Sequence, residues 1–281
     1  MKGIIIAAGY GTRFLPATKT LPKEMFPIVD TPAIDFIVDE FIDSGIKDIL
    51  IVTSRRKKVL EDYFDREMEL ETVFGKENDL KKLDRIRSKN ANFYFIRQSE
   101  MLGTGHAILI CREFTGNDPF IVAYPDDIVF SEKPLSLQLC DIYEKTGGSV
   151  LAVTEIDGDV SRYGVIDYEQ PDGLLKVKNI IEKPAKGEEP SRMISIGRYL
   201  FTPDFMESLD EKYKLKNKGE FYPMDSINQL AREGKVFACN YEGERMDIGD
   251  KTGYIEAIIK YSLMRTDLKD EIMGLLKKYS Q

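Results

Sequence analysis

No apolar run in this sequence approaches the roughly 20 residues needed to cross a bilayer, so nothing reads as a membrane span. Met1 leads almost at once into an apolar strand pattern, which leaves no room for a signal peptide. Cysteine is scarce and scattered. Cys111, Cys140 and Cys239 are odd in number and far apart, so neither a zinc spacing nor a disulfide framework is suggested. That usage fits the reducing cytoplasm. Basic charge is not in excess either. The formal net charge is −8 and the pI about 5.0, which argues against non-specific binding of a nucleic acid polymer. Histidine occurs once, at His106. No low-complexity linker and no internal repeat divides the 281 residues, a length that can bury a sizeable core.

What is present is concentrated at the start. Ile4, Ile5 and Ile6 form a β-branched apolar run, the mark of a strand buried on both faces. Ala7, Ala8 and Gly9 follow, and without bulky side chains a flat ring can lie against this backbone. Gly9 and Gly11 permit a tight loop whose N–H groups can face an anion. Arg13, Lys19 and Lys23 then bring three positive charges into a proline-stiffened stretch. This is not a Walker loop, because no Gly-Lys-Ser/Thr closes it. It is not the dinucleotide fingerprint either, since Phe14 stands where a third glycine or an alanine belongs.

Thr31-Pro32 reads as a helix start with proline at the first helical position. Ile34, Ile37, Val38, Phe41 and Ile42 recur at helical spacing up to Gly45, which suits a C-terminal cap. Ile49 to Val52 is a second buried strand, and strand, helix, strand predicts a right-handed parallel crossover. Val59, Leu60, Tyr63 and Phe64 mark another helix. Residues 65–90 are highly charged, with apolar positions spaced as on amphipathic surface helices. Phe93 to Arg97 and Phe120 to Tyr124 read as strands that lead to Gln98 and to Asp126-Asp127. Ligands in open α/β sheets bind beyond the carboxyl ends of the strands. Gly9, Gln98 and Asp126 each lie just past such an end, so three separate segments converge on one crevice.

A helix over Leu135 to Tyr143 and a strand over Ser149 to Ile156 follow. The pattern then changes to a hairpin over residues 163–181 with a Pro171-Asp172-Gly173 turn. A strand at Ile194 to Phe201, a helix around Ser226 to Ala231, a strand at Val236 to Tyr241 and two terminal helices complete the chain. The whole predicts an α/β fold: a Rossmann-like, mostly parallel central sheet flanked by helices, with antiparallel additions in the second half.

The stretch from Ala8 through Lys19, followed by Pro22-Lys23-Glu24-Met25, resembles the bacterial UTP–glucose-1-phosphate uridylyltransferases and, more broadly, the sugar-1-phosphate nucleotidyltransferases. The likeness extends to about residue 265 and includes the charged segment that begins at Tyr63-Phe64-Asp65. The resemblance implies a single nucleotidyltransferase domain over 1–281. Its nucleotide-binding half would span about 1–130 and its sugar-binding half about 131–265, with the C-terminal helices after them. It implies in-line attack by a phosphate oxygen of glucose 1-phosphate on the α-phosphorus of UTP, giving UDP-glucose and pyrophosphate without a covalent enzyme intermediate. Such chemistry asks a protein for alignment and charge neutralisation.

By the same resemblance Ala8, Gly9, Gly11, Thr12, Arg13, Lys23, Glu24, Gln98 and Gly103 would bind the nucleotide. Arg13 offers a planar fork to the β- and γ-phosphates and Lys23 a point charge near the α-phosphate. The Gln98 amide can match the N3–H and carbonyl of uracil. Gly164, Glu182 and Lys183 would hold the sugar phosphate. Magnesium would sit on Asp126 and Asp247, the latter in Met246-Asp247-Ile248-Gly249, with Asp127 a further candidate. Arg13, Lys23, Asp126 and Lys183 are the expected catalytic set. His106 is expected to open the next helix and pack locally. Glu220 and Asp225 lie in a stretch that departs from the family's pattern and receive no role. A thymidylyltransferase is the nearest rival. A regulatory subunit that only binds sugar nucleotide is disfavoured by the survival of every phosphate cation and metal carboxylate. Assembly as a homodimer or homotetramer is carried over with the family.

Overall fold

The computed structural model describes residues 1–216 and 218–280. The chain opens with β1 (Lys2–Ile6), a short ribbon of β2 (Pro27–Ile28) and β3 (Thr31–Pro32), then α1 (Ala33–Asp43), β4 (Asp48–Thr53) and α2 (Val59–Phe64). Helices α3 (Met68–Glu77) and α4 (Leu80–Arg85) precede β5 (Asn92–Arg97), α5 (Thr104–Leu109), α6 (Arg112–Thr115), β6 (Phe120–Ala123) and β7 (Asp127–Phe130). After α7 (Leu135–Thr146) and β8 (Ser149–Glu155) come β9 (Gly164–Glu169), β10 (Leu175–Glu182), β11 (Met193–Phe201), α8 (Pro203–Leu215) and α9 (Met224–Arg232). The chain ends with β12 (Val236–Asn240), β13 (Glu244–Asp247), α10 (Lys251–Met264) and α11 (Lys269–Tyr279).

Nine strands form one sheet in the order β5-β4-β1-β6-β11-β8-β12-β10-β9. The first four are mutually parallel. β11 then runs antiparallel to both β6 and β8. β9 also pairs with β11, so the strands of the second half close upon themselves. Along β1, Ile5 and Ala7 face one core while Ile4, Ile6 and Ala8 face the other. That alternation is what a strand covered on both faces requires. The first core lies under α1 and α7, the second under α5, α8 and α9. Arg198 on β11 is fully buried and its guanidinium meets the Glu40 carboxylate of α1 at 2.8 Å, which also accepts from the Ser136 backbone. This pair ties α1 and α7 to the middle of the sheet beneath the cleft described below.

The short elements α6, β7 and β13 go beyond the expectation, and two further details differ from it. Pro32 stands just before α1 rather than inside it, because Thr31 and Pro32 are drawn into the β3 ribbon. Helix α8 had no counterpart in the sequence reading. Its apolar positions Phe205, Met206, Leu209 and Tyr213 do keep a helical spacing, with charged residues between them. Elsewhere the expected elements appear. Neither α3 nor α4 buries a residue, as their charge implies. Among the described residues no helix is long and apolar enough to cross a membrane, and all three cysteines are free.

Candidate active site

Because β1, β4, β5 and β6 are parallel, their carboxyl ends open on one side of the sheet, and Gly9, Gln98 and Asp126 gather there. Two 3-10 turns, Thr12–Phe14 and Lys23–Met25, carry Arg13 and Lys23 round the rim. Gly11 caps the first turn at φ 66°, and the Thr18 hydroxyl donates to its carbonyl at 2.8 Å. The second turn is fixed from beneath by Glu24. This side chain is 2% exposed and both its oxygens accept from the buried Lys57 ammonium, at 2.7 and 2.8 Å. Glu24 was expected to meet the nucleotide. Its carboxylate is held by Lys57, and the residue stands in the wall of the cleft described below, on the turn that carries Lys23.

Lys23 Nζ donates to Asp126 Oδ2 at 2.6 Å. Burial works against the Lys23 ammonium, but Asp126 and Glu24 outweigh it and hold its pKa above the ordinary lysine value. Burial likewise opposes ionisation of Asp126, yet Lys23 and Arg13 keep its carboxyl below the usual range. The two groups therefore form a stable ion pair at neutral pH. Asp247 arrives from the far end of the chain. β13 pairs with β7 so that Asp247 faces Asp127, and the Ile248 N–H reaches the Asp126 carbonyl at 2.9 Å. A methyl group at Gly249 would lie 3.0 Å from Asp247 Oδ1, 3.2 Å from Asp126 Oδ2 and 3.2 Å from Arg13 Nη1. Two carboxylates and a guanidinium thus converge on one point. Two carboxylates that leave most of a coordination shell to phosphate and water suit a hard divalent cation. Among the described residues no group of three or more ligating side chains exists.

Asp127 does different work. Its Oδ1 accepts from Arg245 Nε at 2.5 Å and its Oδ2 from the Gly197 N–H at 2.9 Å. Arg245 also reaches Asp247 Oδ2 at 3.3 Å and lies over the Tyr163 ring, 5.1 Å from its centre. Both Asp127 oxygens are engaged and this carboxylate braces its surroundings. Those of Asp247 are engaged as well, Oδ1 by the Gly249 N–H at 3.0 Å and Oδ2 by Arg245. It is the convergence at Gly249 that singles out Asp247. Arg245 and Tyr163 were not singled out in the sequence. Residues two apart on a strand share a face, and that spacing between Arg245 and Asp247 was the available signal. Behind Asp247, Gly253 lets α10 approach closely, for a methyl group there would lie 1.9 Å from the Asp247 carbonyl oxygen.

On the other side of Gly9, Gln98 Nε2 donates to the Gly103 carbonyl at 3.0 Å and lies 3.2 Å from His106 Nδ1. Burial lowers the His106 pKa, so the neutral ring can accept there. His106 does pack locally, with its ring against the Gln98 amide, and Gln98 is itself buried at 4% exposure. Gly103 adopts φ +96°, and a methyl group on it would lie 2.5 Å from the Phe221 carbonyl oxygen. Gly105 N–H donates to that same oxygen at 2.8 Å. The segment around Glu220, which had no assigned role, is therefore the wall against which this loop is built. Gly103→Ala should cost about 1–3 kcal/mol in strain and several degrees in Tm, and should raise the KM for the nucleotide. Thermal unfolding and saturation kinetics check this, and an unchanged Tm would contradict the contact with Phe221.

A cleft of about 380 Å³ has Gly9, Lys23, Glu24, Asp126, Gly164, Glu182 and Tyr222 in its wall, while Arg13, Gln98, Gly103, Lys183 and Asp247 stand outside that wall. β10 ends at Glu182 and Lys183 turns to φ 49°, so the strand stops where both side chains would otherwise diverge. Lys183 Nζ sits 3.6 Å from Glu182 Oε1, at the exposed edge. A roomier hollow of about 520 Å³ lies between α1, β7 and α10. Its wall holds Asp39, Glu40, Asp43, Glu132 and Glu244 against Lys260, and although Arg198 pairs with Glu40 and Lys89 with Asp39 the acidic excess is hostile to a polyanion.

The nucleotidyl transferase family matches residues 2–262. A UTP–glucose-1-phosphate uridylyltransferase of Staphylococcus saprophyticus is 42% identical over 99% of this chain and 97% of its own length. The chain belongs to the nucleotidyl transferase family, among the UTP–glucose-1-phosphate uridylyltransferases. Solved structures of such nucleotidyl transferases agree. A UDP-glucose pyrophosphorylase complexed with UDP-glucose is 40% identical and covers 94% of this chain and 99% of that one, with a TM-score of 0.82. A UTP-bound enzyme from Acinetobacter baumannii is 33% identical over 99% of both chains, with a TM-score of 0.88.

Proposed function

We propose that this protein transfers the uridylyl group of UTP to glucose 1-phosphate, releasing pyrophosphate and UDP-glucose. The observation that carries this reading is the convergence of Arg13, Lys23, Asp126 and Asp247 beside a cleft whose wall also presents Glu182. An oxygen of the sugar phosphate bonds to the α-phosphorus as the bond to the pyrophosphate oxygen breaks. Arg13 takes the outer phosphates and Lys23 the α-phosphate, where negative charge must be stabilised. Asp126 and Asp247 would hold magnesium, which neutralises phosphate charge when bound. Gln98 Oε1 is the acceptor for the uracil N3–H, with Ala8 and Gly9 beneath the ring and the Thr12 turn below the phosphates. Gly164 lets the hexose approach, Glu182 accepts from its hydroxyls, and Lys183 turns toward its phosphate.

In this reading the chain is one domain with a nucleotide half and a sugar half. The free cysteines support a cytoplasmic setting, and light scattering tests assembly as a homodimer or homotetramer. Pyrophosphate release across a matrix of nucleoside triphosphates and sugar 1-phosphates, with and without magnesium, tests the whole. UTP with glucose 1-phosphate and magnesium should turn over fastest. A clear preference for dTTP would favour the thymidylyltransferase reading, from which a pocket separates one methyl group by only about 1–3 kcal/mol.

The sugar end has its own test. Glu182→Gln should weaken hexose selection by about 1.5–3 kcal/mol, the worth of a hydrogen bond to a charged group. Lys183→Ala should raise the KM for any sugar 1-phosphate and leave calorimetric UTP binding intact. Lost UTP binding with unchanged sugar-phosphate affinity in that variant would refute the division into halves.

A further inference from the structure

The buried hydroxyls of this chain are almost all partnered. Ser149 pairs with Thr202 at 2.9 Å, Ser208 donates to Gln229 and Ser262 to the Ile258 carbonyl. Ser195 and Ser226 are the serines whose buried Oγ has no partner among the described residues. Ser226 lies inside α9 and is not in the wall of the cleft. Ser195 borders the cleft.

Its place in the sheet gives it a use. On β11, Ser195 is paired with Gly164 of β9, and Gly164 is paired with Glu182 of β10. Residues directly opposite one another in adjacent strands point to the same face. Ser195, Gly164 and Glu182 therefore stand in a row across three strands, facing the side where Met193, Ile166 and Ile180 enter the second core. The middle residue has no side chain. A methyl group there would lie 3.2 Å from Glu182 Oε2. The outer two are separated by two strand spacings, about 9–10 Å. A six-membered ring lying above Gly164 would have Glu182 on one flank and Ser195 on the other. The β11 ladder shifts register between Ser195 and Tyr199, the kind of irregularity that re-aims a side chain beside a site.

We propose that Ser195 is a specificity-determining residue for the hexose, gripping the ring from the side opposite Glu182. Its hydroxyl lies turned into the wall without a partner. A turn about χ1 between staggered wells brings it to a sugar hydroxyl, and the pairing it gains there makes the grip selective. The inference rests on the assignment of this end of the cleft to the sugar.

The test uses the whole enzyme and analogues of glucose 1-phosphate that each lack one ring hydroxyl. Ser195→Ala should lower kcat/KM for glucose 1-phosphate about three- to tenfold, the worth of a neutral hydrogen bond. Its Tm and its calorimetric affinity for UTP should not fall, because the hydroxyl removed has no partner in the free protein. With one analogue Ser195→Ala and the parent should become equal. That analogue should differ from the one that erases the effect of Glu182→Gln. Equal losses with every analogue, or no loss with any, while Glu182→Gln keeps its selective pattern, would overturn the role of Ser195 alone. If neither variant discriminated among the analogues, the sugar assignment of this end would fall and the inference with it.

Discussion

Asp126→Ala should remain folded and lose about a thousandfold in turnover. The expectation comes from what converges on this carboxylate. Asp126 Oδ2 and Asp247 Oδ1 face the point marked by Gly249, with Arg13 beside them. A bound cation contributes several kcal/mol of charge stabilisation in phosphoryl chemistry, and each 1.36 kcal/mol is about a factor of ten in rate. Chelation should abolish turnover in the parent and added magnesium restore it. Manganese binding, followed by paramagnetic resonance in the presence of UTP, gives a readout apart from rate, and Asp126→Ala should weaken it. Asp127→Asn supplies the control. That carboxylate is engaged by Arg245 and the Gly197 N–H, so its loss should lower Tm while metal dependence persists. Should Asp127→Asn abolish metal binding and Asp126→Ala leave it intact, the two aspartates have been given each other's parts.

The contrast between those aspartates shows what the sequence could convey. Asp126 was legible because it follows a buried strand in a parallel set, and the end of such a strand is where ligands collect. The end of β10 was legible for a local reason too, since Glu182-Lys183-Pro184 cannot continue a ladder. The bracing role of Asp127 was not. It depends on β13 pairing with β7, two four-residue strands more than a hundred residues apart in the chain, and neither is long enough to announce a register. The same holds for the row of Ser195, Gly164 and Glu182, which exists only because β9 meets both β10 and β11. The wall at Phe221 was hidden for another reason. Its contact with Gly103 and Gly105 is made by backbone, so side-chain identities there carry little of the signal. Local motifs thus named the groups proposed to meet the ligands, while the groups that hold them in place came from non-local pairing.

Lys23→Ala should lower kcat by about 10²–10³, the usual cost of deleting one preorganised electrostatic partner. In the free protein the Lys23 ammonium lies 2.6 Å from Asp126 Oδ2, so it already stands at the edge of the carboxylate pair. Its raised pKa keeps it cationic at neutral pH, and the Glu24–Lys57 pair fixes the turn that carries it. A group placed and charged before the substrate arrives costs no reorganisation during the reaction, the condition under which a single charge has its full effect. Removal has a second consequence of opposite sign. Asp126 loses its counter-ion, so a divalent cation no longer competes with an ammonium for that oxygen. Lys23→Ala should therefore bind manganese at least as tightly as the parent while turning over far more slowly. A shared loss of metal affinity and rate would instead make Lys23 a support for the metal site. Lys19 is the comparison. It lies on the next turn back, exposed, with its carbonyl held by Arg56 at 2.8 Å, and it is absent from the wall of the main cleft. Lys19→Ala should cost less than a tenth of what Lys23→Ala costs in rate. Equal losses at the two positions would mean that Lys19 shares the charge on the phosphates and that the turn at residues 23–25 is not the sole bearer of the cation.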